Sequence, residues 1–519
     1  MYLVGFGCVA ASLPNLRLLM SIGQFIILGS WLTEGVVQKD LGQKFTSFFK
    51  NNAALAFSLI FFIHLVGLAY TANLGWGLDL VRILLPFLLL PVVVASIPRF
   101  TEKELMLLMA IFVISTGLTS IYGSVLQLNT IEAITSFRAY SPLISHIRMA
   151  LLVAMAIFCI IWYLEFMGWM LRVCSLILLL WFWYYLNLMH SIQGMAIVVL
   201  GSAILLLARS NRFPRVWRSI IRMAALVIPL LAFTYVSFCY WAYYDVDPNA
   251  LGNLETHSVA GDVYYHDLED PMVENGYYVW VNISWAELKV SWEDRSDLVL
   301  DDFDRMGQPI SSTLIRYMSS KGFKKDAEGM SQMSAEDIAN VEAGIPNIRM
   351  MNGSGLRLRV DQVIFEIDRY RANHSPDGNS FTMRFEFWRA AAEIIKKNFW
   401  LGVGTGDTPE VFAKQYVEMS SPLAESHRLR AHNEYLTIFV SFGVVGFFLF
   451  LFALFFPIIK MKACKHGLTL AFLITVLVSF LTDDTLERQA GATFVAYFYC
   501  ILVFLSPQKE QSEVATFTA

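Results

Sequence analysis

Charge is scarce in this chain. Only 16% of its 519 residues are Asp, Glu, Lys or Arg, against roughly 25% in soluble domains. That deficit argues against a soluble globule. The net charge of −4 comes without any basic tract, so no nucleic-acid partner is expected. Cysteine is sparse as well. Cys8, Cys159, Cys174, Cys239, Cys464 and Cys500 all lie in or beside apolar runs. The long hydrophilic segment has none, which excludes a disulfide framework and a thiolate metal site there.

Several catalytic signatures are also missing. There is no HExxH, no paired His/Cys spacing and no Ser-His-Asp elbow, so no metal site is expected. Asp483-Asp484 is an isolated acidic pair, too little to hold a divalent ion by itself. Gly402, Gly404 and Gly406 do not form a phosphate loop: they follow a helix instead of opening one after a strand. A sharp turn is their expected role. The N-terminus shows no basic region and no small-residue cleavage site, so the first apolar helix is expected to act as the targeting signal.

What the chain has in abundance is apolar sequence. Hydrophobic residues make up 56% of it, with a mean hydropathy of +0.53. Runs approaching the ~20 residues that cross a bilayer recur throughout. About twelve segments are expected: Tyr2–Leu13, Leu16–Glu34, Ala53–Ala72, Leu78–Ile97, Leu105–Leu126, Ile147–Phe166, Met170–Leu188, Met195–Leu207, Ile220–Tyr243, Tyr435–Ile458, Leu468–Leu481 and Ala490–Leu505. The fold class is therefore an all-α polytopic membrane protein with a large mixed domain outside the membrane.

The distribution of Lys and Arg orients it. With the N-terminus inside, the inside connections hold Lys39, Lys44 and Lys50, then Arg99 and Lys103, then Arg172. The Arg209–Arg222 cluster and Lys460, Lys462 and Lys465 follow. The short outside connections at 71–76 and 190–194 carry neither residue. Both termini are expected in the cytoplasm. The chain divides into an N-terminal bundle (1–244), an outside domain (245–431) and C-terminal helices with a short tail (432–519).

Within the outside segment, Tyr277–Trp285 has a strand-like aromatic and β-branched pattern. Ser334-Ala-Glu-Asp337 resembles a capping box. Val360, Ile364 and Ile367 fall at helical spacing. In Thr382–Asn398, Phe385, Trp388, Ala392 and Ile395 share one helical face, expected to lie on the membrane surface with Trp388 and Trp400 at headgroup level.

Three features could carry chemistry. Arg384 could grip a diphosphate with its planar fork, or bind any lipid phosphate. His432, where the chain returns to the membrane, suits general-base work on a hydroxyl, although a helix cap is the plainer role; Asn433 and Glu434 could orient it. Arg148 opens a helix within Ser145-His146-Ile147-Arg148 and can snorkel to the surface. The turns at 190–193 and 483–488 are expected to be solvated.

These residues resemble the O-antigen ligase and O-antigen polymerase superfamily. The resemblance rests on Arg384-x3-Trp388, the Gly402–Gly406 run, His432-Asn433-Glu434-Tyr435-Leu436 and Gly443-x2-Gly446. Their order, and their place before a final group of helices, also agree. The Ser145–Arg148 element and the long insert are similar to those of Bacteroidetes-type members. The resemblance implies a C-type glycosyltransferase-like membrane fold in the bacterial inner membrane, with its active site on the periplasmic side. It implies transfer of a glycan from an undecaprenyl-diphosphate carrier to an acceptor hydroxyl, without metal, nucleotide or other cofactor and with inversion at the anomeric carbon. The acceptor would be lipid A–core for a ligase, or protein Ser/Thr for an oligosaccharyltransferase. A polymerase would extend the carrier-linked glycan itself.

By the same resemblance, Arg384 would contact the diphosphate and His432 would activate the acceptor, with Trp388 beside them. Many members carry Ser-Arg-Gly where this chain has Ser191-Ile192-Gln193-Gly194, so no arginine is assigned there. A second diphosphate-binding arginine is expected upstream of Arg384, with Arg369, Arg371 and Arg148 as candidates. A transporter is the rival from another class. Its charges would be expected at mid-membrane, often with internal repeats, and neither pattern is found.

Overall fold

The computed structural model describes residues 1–127, 137–270, 272–352, 355–372 and 374–507. The protein is an all-α polytopic membrane protein. Among the described residues, nine helices are long and apolar enough to cross a bilayer, and Tyr2–Ser12, Gly467–Thr482 and Gln489–Leu505 are shorter apolar helices. Each of the twelve coincides with an expected segment. Their starts are set by local chemistry. Asn51 caps Asn52–Gly67 by accepting from the amides of Ala53 and Ala54. A Thr101/Glu104 capping box opens Glu102–Leu126. Ser191 accepts from Gly194 to start Ile192–Arg209, so this short polar turn is a cap and not merely solvated.

One apolar core runs through the bundle, centred on helices such as His146–Tyr163, whose residues 149–160 are all buried. In contrast, Arg215–Tyr243 buries only Ala225, Cys239 and Tyr243. Its remaining apolar surface is left for lipid.

The segment between this helix and Glu434–Lys460 is almost entirely helical in its regular structure, which corrects the expectation of a mixed domain. The strand-like stretch Tyr277–Trp285 forms the two-residue strand Tyr277–Tyr278, paired antiparallel with Val273–Glu274, and isolated bridges from Ile283 to Tyr265 and Lys325. Ser284 then accepts from the Glu287 amide and starts the helix Trp285–Glu293. Side-chain capping overrides β-propensity at that point. The Ser334 capping box is present, and Val360, Ile364 and Ile367 lie on the helix Gly355–Arg371.

Two apolar clusters fill the segment. One gathers Val279, Trp292, Leu314, Tyr317, Val341 and Ile364. The other packs Phe387, Ala390, Ala391 and Ile394 of the helix Met383–Lys397 against Phe412 and Tyr416. Met383–Lys397 thus buries the face of Phe387, Ala391 and Ile394 in protein, while Ala392, on the face expected at the membrane surface, is exposed. Glu386 is buried, and accepts from the hydroxyls of Tyr370 (2.8 Å) and Ser421 (2.9 Å).

The glycine-rich turn clasps the return helix. Gly443 breaks Glu434–Lys460 with φ 61°, and Gly402 has φ 70°. At this break Val403 donates to the Val440 carbonyl (3.0 Å), Gly404 to Ser441 (2.9 Å) and Val444 to Phe399 (2.8 Å). A Cβ on Gly402 would overlap the Ser441 carbonyl, and one on Gly443 the Trp400 carbonyl. Both positions need the left-handed region and the absence of a side chain. Nearby, Asp407 accepts from Thr71, Ala72 and Asn73, and Arg359 reaches the ring of Phe137 (5.8 Å). The connections at 71–73, 137–145 and 483–488 thus meet the same segment at one end of the bundle.

Candidate active site

At that end, charged side chains converge on a buried turn. Asp483 follows Gly467–Thr482 and is 5% exposed. One carboxylate oxygen lies 3.5 Å from His432 Nδ1, and the other lies 3.4 Å from Arg148 Nη2. Arg384 is partly buried beside them and donates from Nη2 to the Thr482 carbonyl (3.1 Å). Among the described residues it forms no ion pair. His146 lies within electrostatic range of Arg138, Arg359, Arg384 and Asp483.

The 483–488 turn is therefore not solvated. Asp483, Asp484 and Glu487 are all buried. Asp484 accepts from the Asn433 amide (3.0 Å) and the Thr437 hydroxyl (2.8 Å). Glu487 pairs with Arg430, which lies over the Trp76 ring. A charged hexapeptide between two apolar helices has few backbone partners of its own, and tertiary packing supplies them. Arg148 likewise turns inward to Asp483, not outward to lipid.

The electrostatics follow from this packing. Burial pushes the Asp483 carboxyl up. The contact with His432 and the charges of Arg148 and Arg384 outweigh it, and hold Asp483 below the ordinary carboxylate range. Burial draws the Arg384 guanidinium down from its ordinary value, and Asp483 acts against that. An arginine keeps its charge at neutral pH nonetheless.

The motif residues around His432 fix its place. His432 sits at φ 45°, a conformation that costs a non-glycine residue about 1–2 kcal/mol. Trp388 holds the preceding residue by donating its indole N–H to the Ala431 carbonyl (3.1 Å). Asn433 caps the return helix, accepting from the Leu436 amide (3.1 Å) and donating to the Leu481 carbonyl (3.1 Å). Glu434 accepts from the Leu486 amide (2.9 Å). Asp483, not Asn433 or Glu434, meets the His432 ring, while Phe387 packs on it at 5.7 Å.

Of the six residues singled out from sequence, Arg384, His432, Arg148 and Trp388 come together. Arg369 and Arg371 do not. They lie near the far end of Gly355–Arg371, Arg369 close to Arg316 and Asp270, and Arg371 close to Asp368 and Tyr244. The arginine of that helix that reaches the cluster is Arg359. It is paired with Glu366 (3.3 Å) and donates to Ser380 (2.8 Å). Its place near the start of that helix, about 15 Å along the axis from Arg369, puts it there. Among the described residues, no group of three or more His, Cys, Asp or Glu is placed to hold a metal ion.

Fold and site describe a multi-pass membrane protein with a cationic centre and an Asp-held histidine at one end of its helical bundle. Residues 176–451 match the family model described as O-Antigen ligase, and the chain belongs to that family. It is a membrane glycosyltransferase of the ligase or polymerase type. Comparison with curated proteins finds no match.

Proposed function

We propose that the protein transfers a glycan from an undecaprenyl-diphosphate carrier to an acceptor hydroxyl at the periplasmic face of the inner membrane, as a ligase with a lipid A–core acceptor. One observation carries this reading. Among the described residues, Arg384 is partly buried with no carboxylate bonded to it, beside a histidine that Asp483 orients. A guanidinium drawn partly out of water without a bonded anion is costly, and a diphosphate is the anion its fork fits.

The residues take the following roles. Arg384, Arg359 and Arg148 surround the diphosphate, and Asp483 tempers the charge of Arg148 while holding His432. With Nδ1–H directed to Asp483, the His432 Nε2 lone pair faces the acceptor. The acceptor oxygen attacks the anomeric carbon as its proton passes to Nε2. The carbon–oxygen bond to the diphosphate breaks, and its electron pair leaves with the diphosphate. A single displacement inverts the anomeric centre. The arginines stabilise the charge that grows on the leaving group, so this course asks no metal of the protein.

The test is transfer from an undecaprenyl-diphosphate glycan in chelator-treated buffer, with lipid A–core and a Ser/Thr peptide offered separately. Transfer to lipid A–core that is lost in Arg384→Ala and His432→Ala supports the ligase. Transfer to the peptide would make it an oligosaccharyltransferase, and chain extension alone would make it a polymerase. Variants as active as the parent would overturn the site.

A further inference from the structure

A second cleft opens about 18 Å further along Gly355–Arg371 from Arg359, counting 1.5 Å per residue. Its volume is about 550 Å³. Tyr240, Trp241 and Tyr244 form one wall, and Glu269, Asp368 and Arg371 the other. The aromatic residues end the last helix of the N-terminal bundle, so the cleft straddles the boundary between membrane and water. Aromatic residues at such a boundary ordinarily anchor a helix among headgroups. Here they face a polar wall. The Tyr244 hydroxyl donates to both Asp368 oxygens (2.7 and 2.8 Å), and Asp368 is 8% exposed. Trp241 is 72% exposed and presents its ring unpaired with any carboxylate or cation among the described residues.

The charge balance selects the ligand. One cation, Arg371, stands against two carboxylates, Glu269 and Asp368, so a phosphate or other anion is disfavoured. A neutral polyhydroxylated molecule fits both walls. Its apolar faces lie on the rings, and its hydroxyls donate to the carboxylates and accept from Arg371. We infer that this cleft is a subsite for neutral sugar units of a membrane-seated glycan, held while its reacting end lies at the arginine cluster. Which glycan is held rests on the glycosyltransferase reading; sugar binding in the cleft does not.

The experiment uses the full chain in nanodiscs and saturation-transfer NMR. The probes are two saccharides free of lipid, each taken as its neutral fragment: one from the core oligosaccharide, and one from the glycan hydrolysed from its diphosphate carrier. Signal from one of them that is lost in Trp241→Ala and Glu269→Gln, but kept in His432→Ala, supports the subsite, and the responding saccharide names the acceptor or donor as its source. Trp241→Phe should retain binding, since it keeps an aromatic face. In the transfer assay, Trp241→Ala should raise KM for that glycan about three- to ten-fold at unchanged kcat, the loss of one stacked face. Binding unchanged in Trp241→Ala and Glu269→Gln, with thermal stability equal to the parent, would overturn the inference. If sugar binds as described but no transfer is found with any acceptor, the cleft stands and the functional reading fails.

Discussion

His432 Nδ1 lies 3.5 Å from one carboxylate oxygen of Asp483, whose other oxygen is 3.4 Å from Arg148. A single buried acid therefore orients the candidate base and neutralises part of the cationic cluster. Asp483→Asn keeps the shape and removes the charge. It should cut kcat for glycan transfer by about 10²-fold or more, the scale of a general-base contribution, while leaving thermal stability within a few degrees. Transfer at the parent rate would show that His432 needs no such partner.

The second arginine can be told apart by mutation. Arg359→Ala should lower kcat by about 10²-fold, as loss of one leaving-group contact does. Arg369→Ala, near Arg316 and Asp270 instead, should leave kcat within about two-fold. The reverse ranking would return the role to Arg369.

Trp388→Phe preserves the ring but removes the hydrogen bond to the Ala431 carbonyl. An orphaned buried carbonyl costs about 1–3 kcal/mol, and the backbone of His432 is relieved of its brace. Transfer kinetics should show a fall in kcat with donor KM unchanged. A rise in donor KM alone would instead place Trp388 against the substrate.

Gly443→Ala should prevent stable folding, because its Cβ would enter the Trp400 carbonyl at a left-handed backbone position. Yield and melting temperature in detergent are the measurements. Gly42→Ala, at an open position, is the control expected to behave as the parent.

Lys325 gives a pH signature. Burial brings its ammonium down to about 7, and among the described residues only the Tyr278 and Val281 carbonyls accept from it. An unfolded lysine titrates near 10.4. Between about pH 7 and 10 the unfolded chain binds a proton that the folded chain does not, so this lysine makes stability rise with pH across that window. Below pH 7 both states are protonated and its burial penalty is fully felt. Melting temperature measured against pH should show the slope in the parent and lose it in Lys325→Met.

Much of this architecture was legible in the residues. Apolar runs set the twelve helices because a helix in lipid must satisfy its own backbone, and local caps such as Ser334 and Thr101 set several ends. The motif residues Arg384, Trp388 and His432 stood out by type and spacing. Asp483 and Arg359 did not. Asp483 lies in a turn whose composition reads as solvated. Arg359 is one of several arginines on a helix whose placement against the bundle no local rule specifies.

The sequence by itself determined that the chain crosses the membrane many times, where its charges gather and which motif residues stand at the return to the membrane. Only the tertiary structure decided which carboxylate meets His432, which arginines join Arg384 and which face of Met383–Lys397 is buried. Hydrophobicity and hydrogen-bond saturation act segment by segment. Pairing among buried charges depends on distances between helices that lie far apart in the chain, and those are set by packing.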